Sequence, residues 1–182
     1  MRQQGVGGVP VFVDTGLIDD SRANQRLGLE AAWVHGPFSV QAEWIGAQVQ
    51  RHNQNNVFFH AGYVYASFFL TGESRSYSPT SILGRFREGI FQRVVPRSNV
   101  LDRRNGRSGG IGAWEVAARW NYIDLNSYDI GGGRLDEVTV GVNWYLNAYT
   151  RISFNYVRPI LLQPGIDPSA ADMFSLRFQL EF

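Results

Sequence analysis

The sequence predicts an all-β chain of about eight antiparallel strands, each with one apolar and one polar side. Segments of about ten residues alternate apolar with polar side chains, and in a strand that alternation sorts them onto opposite faces. Breaks bearing Gly, Pro or Asn separate the segments. No stretch reads as a convincing helix, and the longest apolar run, 57–70, is interrupted by His60, Gly62 and Ser67, so no spanning helix is expected.

Residues 6–14 read as a weak first strand. In 26–35, Leu27, Leu29, Ala31 and Trp33 oppose Arg26, Gly28 and Glu30, and His35-Gly36-Pro37 then forms a tight turn. In 38–48, Phe38, Val40, Ala42 and Trp44 oppose Ser39, Gln41 and Glu43. Segment 58–71 is apolar on both sides; the better register turns Val64, Ala66, Phe68 and Leu70 outward and Tyr65, Ser67 and Thr71 inward. In 113–124, Trp114, Val116, Ala118, Trp120 and Tyr122 oppose Glu115, Arg119 and Asn121. Residues 135–147 set Val138, Val140, Val142, Trp144 and Leu146 against Glu137, Thr139, Gly141 and Asn143. A short turn at Asn147-Ala148 leads to 151–157, where Ile152, Phe154 and Tyr156 oppose Arg151, Ser153 and Asn155. Finally, Phe174, Leu176, Phe178, Leu180 and Phe182 share a face opposite Ser175, Arg177, Gln179 and Glu181.

These lengths suit tilted membrane strands, and the ten-residue alternation ending in Phe182 resembles the C-terminal assembly signal of bacterial outer-membrane barrels. The apolar faces carry no charge, whereas the polar faces carry Glu30, Glu43, Glu115, Arg119, Arg151 and Arg177, as a watery lumen would require. Trp33 and Phe38 flank one turn and Trp144 and Tyr149 another, where interfacial aromatic girdles sit. The expected fold is therefore an antiparallel transmembrane β-barrel forming a single domain over 1–182. With 0 Cys and 3 His in no ligand spacing, neither a thiolate site nor a zinc enzyme is expected, and no cofactor is implied. A net charge of +1 argues against a nucleic-acid binder, but all 17 basic residues are arginine, whose planar fork grips oxyanions.

The chain resembles the phosphate-selective porin O and P family. The likeness lies in Gly36-Pro-Phe-Ser-Val-Gln-Ala-Glu-Trp44, Gly62-Tyr-Val-Tyr-Ala-Ser-Phe-Phe-Leu-Thr-Gly-Glu-Ser-Arg75, Gly112-Ala-Trp-Glu-Val-Ala-Ala-Arg119, Gly141-Val-Asn-Trp-Tyr-Leu-Asn147 and Asn155-Tyr-Val157, with the terminal Phe182. The resemblance implies the C-terminal half of a sixteen-stranded, typically trimeric porin of the bacterial outer membrane. Such a porin has lipid and the barrel assembly machinery as partners and phosphate or other anions as solutes. The start of the chain does not read as a signal peptide, so an excerpt or truncated product is expected.

If Phe182 lies at the periplasmic end, the turns at 36–37 and 147–150 are periplasmic, and 53–56, 126–134 and 160–171 are extracellular loops. The connection 72–111 is then periplasmic and unusually long. It holds eight arginines against Glu73, Glu88 and Asp102, an excess of +5 in a chain of net +1. Apolar residues such as Ile82, Phe86, Ile90 and Val94 interleave with the arginines, so the connection is expected to fold inward and narrow the lumen. Inward-folded connections are also what the resemblance implies. Arg85, Arg87, Arg93 and Arg97 sit among apolar anchors and are the leading constriction candidates, with Arg75 and Arg107 beside them. A guanidinium can give phosphate two parallel charge-assisted hydrogen bonds, and arginine rings favour anions. Arg119, Arg151, Glu43 and Glu115 are expected on the lumen wall, and part of the arginine set is expected to pair with these carboxylates. An enzyme is disfavoured, since no Gly-x-Ser-x-Gly or phosphate-loop pattern occurs. The alternatives are a small eight-stranded barrel with a structural or adhesive role, and a general porin without phosphate preference.

Overall fold

The computed structural model describes residues 11–75, 77–78, 90–91, 93–100, 109–163 and 165–181. Among them are strands β1 (Ser21–His35), β2 (Phe38–Arg51), β3 (Val57–Phe69), β4 (Tyr77–Ser78), β5 (Ile90–Phe91), β6 (Ala113–Ser127), β7 (Ile130–Asn147), β8 (Thr150–Gln163), β9 (Ile166–Ala170) and β10 (Met173–Leu180). Eight of them form one antiparallel sheet in the order β1-β2-β3-β6-β7-β8-β10, with β9 paired to the far part of β8 on the line of β10. The sheet is open between β1 and β10, which run in the same direction because five antiparallel strands lie between them. β4 and β5 pair with each other inside the connection from β3 to β6.

Register places every alternating set on the side its sequence demands. Glu43 lies opposite Tyr63 and Gln41 opposite Tyr65. Tyr65 lies opposite Arg119, Glu115 opposite Asn143, and Ser153 opposite Arg177. One face is therefore polar from edge to edge. On β3 the inward set is Tyr63, Tyr65, Ser67 and Phe69, which resolves the doubly apolar segment in favour of the register expected.

Burial runs opposite to that of a soluble protein. Part of the polar face is covered, with Ser39 and Ser67 buried and their hydroxyls 2.8 Å apart. The apolar face is bare: Trp33 is 55% exposed, Val140 43% and Leu176 75%. A soluble sheet left so would lose the hydrophobic term that folds it, whereas hydrocarbon surroundings remove that penalty. All 5 tryptophans, at 33, 44, 114, 120 and 144, lie on this outer face. They form two bands, with Trp33 against Phe38 and Trp114 stacked on Trp144 at one end, and Trp44 against Phe58 and Trp120 on Tyr122 toward the other. At about 3.4 Å per residue and a tilt of about 40°, Trp114 and Tyr122 stand roughly 20 Å apart in height, close to the span of an outer-membrane apolar belt.

Three expectations need correction. Residues 126–134 and 160–171 are not open loops, because pairing continues to Ser127–Ile130 and to Gln163–Ile166. The glycines at 131–133 hide the alternation there, and Gly133 holds a φ of +90° that a side chain would resist. Residues 11–14 of the expected first strand are not in a strand, while 6–10 lie outside the described residues. The segment lies instead across the inner face near the hairpin tips. Asp14 N–H donates to Gly132 C=O at 2.9 Å, and Ile18 packs on Val49, Val57 and Phe59. Edge pairing would have left those inward apolar side chains uncovered.

At the same end Arg51, with a side chain 2% exposed, donates from Nη1 to Asp129 at 2.9 Å and from Nε to the Asn55 carbonyl at 2.7 Å. These bonds tie the 52–56 turn to the β6–β7 turn. Hydrogen bonding from Arg51 holds the Asp129 carboxyl down to about 2, from an ordinary 3.8. A lowered value means that the tie stabilises fully above the ordinary value and fades as pH falls through about 2. Hydrogen exchange at the two turns, corrected for intrinsic rates, should stay slow at pH 5 and quicken only near that lower value. Asp129→Asn should make it quick throughout. The face assignment predicts that Val140→Arg in the bilayer-reconstituted protein costs about 2–4 kcal/mol in denaturant unfolding, with Thr139→Arg nearly neutral.

Candidate functional site

The inner face carries two neighbouring arrangements of charge. The first is buried. Glu115 follows the turn into β6, where Gly112 takes a φ of +72°, and its side chain is fully covered. Arg75, six residues beyond the end of β3, reaches back to it. Its Nε donates to Oε1 at 3.0 Å, and its Nη2 lies 2.7 Å from Oε1 and 3.0 Å from Oε2. Asn143 Nδ2 donates to Oε2 at 3.0 Å and the Tyr145 hydroxyl donates to Oε2 at 2.9 Å. The Tyr65 hydroxyl stands 3.5 Å from Oε1. Every face of the carboxylate is thus occupied, which a buried charge requires. The guanidinium also lies against the rings of Tyr65 and Phe69.

The rest of the described connection is tied down at the same end. Gly72, at a φ of +84°, turns the chain, and a Cβ there would come within 2.9 Å of Arg97 Nη1. Arg97 donates from Nη2 to the Gly72 carbonyl and from its backbone N–H to Glu73 at 3.1 Å. Burial pushes the Glu73 carboxyl up, but the Thr71 hydroxyl and the Arg97 N–H outweigh it and hold the group below the usual range. Val94 is buried against Phe69, Ala113 and Tyr145, and Val100 N–H donates to Leu146 C=O at 2.9 Å. Arg93 pairs with Glu181 at 3.1 Å and lies 4.6 Å over the Tyr149 ring. Both flanks of the connection therefore sit on the inner face or at its rim.

The second arrangement is open. Arg119 of β6, Arg151 of β8 and Arg177 of β10 line a hollow of about 770 Å³ with Asn143, Ser153 and Asn155. Among the described residues, no carboxylate lines it. Arg119 is held by Asn121 at 2.6 Å and lies 4.1 Å over the Tyr63 ring, and Arg151 is held by Gln179 at 2.6 Å. Each keeps further N–H groups for the hollow, since a guanidinium has five donors. Glu43 faces inward as expected and lines a smaller hollow of about 290 Å³ with Arg119, Tyr63 and Glu137. Opposite it across the β1–β2 pair stands Glu30.

Of the constriction candidates, Arg75 is consumed by Glu115, and Arg93 and Arg97 are engaged at the rim. Arg85, Arg87, Arg107 and Phe182 lie outside the described residues. Sequence reasoning did not single out Tyr145 and Asn143 as ligands of Glu115. The signal was there, because both continue the inward set of β7 and Asn143 faces Glu115 in register.

An antiparallel sheet that bares its tryptophans, buries Glu115 and lines a polar hollow with guanidinium groups is the wall of a transmembrane β-barrel of the porin type. The chain belongs to the phosphate-selective porin O and P family, which matches residues 10–182. It is 30% identical to Porin O of Pseudomonas aeruginosa over 142 residues, covering 72% of this chain and 28% of that protein. It is 31% identical to a protein of Caulobacter vibrioides over 133 residues, covering 72% of this chain and 24% of that one. The matched segment thus spans less than a third of either relative.

Arg75→Ala should destabilise the protein by about 3 kcal/mol or more in denaturant unfolding, because it strands a buried carboxylate. Arg93→Ala, which opens an exposed pair, should change stability by less than about 1 kcal/mol.

Proposed function

We propose that the chain forms part of the wall of a water-filled outer-membrane channel for passive uptake of anions, phosphate or polyphosphate among them. The observation that carries this reading is the hollow lined by Arg119, Arg151 and Arg177, with no carboxylate among its described lining residues. Three cations around one hollow raise the local anion concentration, and guanidinium forks suit tetrahedral oxyanions. Spacing them over three strands avoids a tight cage, so that an ion can leave as readily as it enters. The reading gives the protein the role of a channel and no catalytic step. It agrees with family membership and with the name Porin O carried by a relative.

The inward course of the connection 72–111 belongs to the same reading. The wall contacts of Arg75, Val94 and Val100 support it. In this arrangement Arg85, Arg87 and Arg107 share the narrowed lumen, and Arg93 and Arg97 guard its rim. The end bearing the connection faces the periplasm, lipid surrounds the outer face, the barrel assembly machinery inserts the strands, and the working unit is a homotrimer.

Neutralising Arg119, Arg151 and Arg177 to Gln in the full-length protein tests the reading. Zero-current potentials across a bilayer in a KCl gradient should lose most of their anion preference. Neutralising Arg85, Arg87, Arg93 and Arg97 should lower it as well. Potentials unchanged by both sets would refute the anion path.

A further inference from the structure

The hydroxyl oxygen of Tyr145 joins the buried carboxylate to Arg151, one of the arginines of the open hollow. It donates to Glu115 Oε2 at 2.9 Å. It lies 3.4 Å from Arg75 Nη2 and 3.3 Å from Arg151 Nη1. A phenol has one proton and two lone pairs. The proton is committed to Glu115, since an ionised carboxylate can only accept. Both lone pairs are then left for the two guanidinium groups. On its other side Arg151 is held by Gln179 Oε1 at 2.6 Å. The planar group is thereby gripped between β7 and β10, and its remaining donors are left for the hollow it lines. Tyr145 itself is 7% exposed and packs against Phe69, Val94 and Ala113, so its ring has little room to turn.

We infer that Tyr145 is a positioning residue for anion passage: it couples the seating of the connection, through Arg75 and Glu115, to the orientation of Arg151 in the pore wall. The inference rests on the anion-path reading and adds what aims one of its three arginines. A long arginine with one end loose would sample many rotamers and lose entropy on meeting each ion. One already gripped has lost that freedom beforehand and binds more tightly for the same contacts. Arg75 then acts at a distance. It holds Glu115 in place, Glu115 fixes the direction of the Tyr145 proton, and that proton decides which lone pairs Arg151 meets.

The test uses the full-length protein in planar bilayers, with inorganic phosphate as the probe and block of chloride current as the readout. Tyr145→Phe keeps the ring, the packing and every charge, so zero-current potentials should stay anion-selective. The phosphate concentration for half-block should rise on the order of tenfold, the effect of losing a hydrogen bond to a charged group. Arg151→Gln should raise it as much or more. In the Arg151→Gln background, Tyr145→Phe should add nothing, because the group it aims is gone. Additive effects of the two substitutions, or a half-block concentration unchanged by Tyr145→Phe, would overturn the positioning role alone. If Arg151→Gln leaves block unchanged, the positioning role falls; the anion path falls with it only if both sets of arginine replacements named above also leave the potentials unchanged. Far-ultraviolet circular dichroism and heat-modified gel mobility confirm that each variant has folded before it is scored.

Discussion

Hydrocarbon offers no hydrogen bonds, so a chain that crosses a membrane in strands must pair its backbone with itself and turn its charges away from lipid. Strict alternation along each strand and antiparallel pairing between strands meet both demands together. Val138, Val140 and Val142 face out because Glu137, Thr139 and Asn143 face in, and the neighbours above and below keep the same phase. A one-residue slip of any strand would carry its charges into lipid, so the register is held by the whole membrane rather than by any local contact. The edges carry the same constraint. β1 and β10 run the same way, and antiparallel closure of the barrel therefore takes an odd number of further strands.

The same low dielectric makes Glu115 consequential. A buried carboxylate without partners would be among the costliest features of the wall, and here the partners are drawn from three separate parts of the chain: Arg75 from the connection, Tyr65 from β3, and Asn143 and Tyr145 from β7. The carboxylate is satisfied only when the connection has returned to the wall. Electrostatics that would be a liability in isolation thus specifies where the connection begins. The wall arginines obey the opposite rule. Among the described residues, Arg119, Arg151 and Arg177 share a hollow that no carboxylate lines. The contrast separates an arginine that neutralises a buried carboxylate from those that line the open hollow.

Alternation made the strands legible, and with them the faces, the outward tryptophans and the inward Glu115, Arg119 and Arg151. The ends of the strands were not legible. Gly131, Gly132 and Gly133 carry no polarity to alternate, yet they lie in β7 and continue its ladder. Residues 11–14 were expected in a strand, yet Asp14 is tied to Gly132 on the inner face, where Ile18 covers Val49, Val57 and Phe59. Periodicity reports which side of a strand is apolar, but it does not report which surface will lie against it. For the same reason Arg75 could be placed in the lumen but not assigned to Glu115. The chain between them has no period, and only the folded connection shows the distance.

The central claim is that the charged face meets water and the tryptophan face meets lipid. The chain has 0 Cys, so single cysteines can be placed along 135–147 of β7 and spin-labelled in the reconstituted protein. Collision with dissolved oxygen reports lipid exposure, and collision with a water-soluble nickel chelate reports aqueous exposure. The account predicts a period of two, with oxygen reaching the labels at 138, 140, 142 and 144 and nickel reaching those at 137, 139, 141 and 143. The inverse phase, or nickel reaching both sets equally, would contradict it.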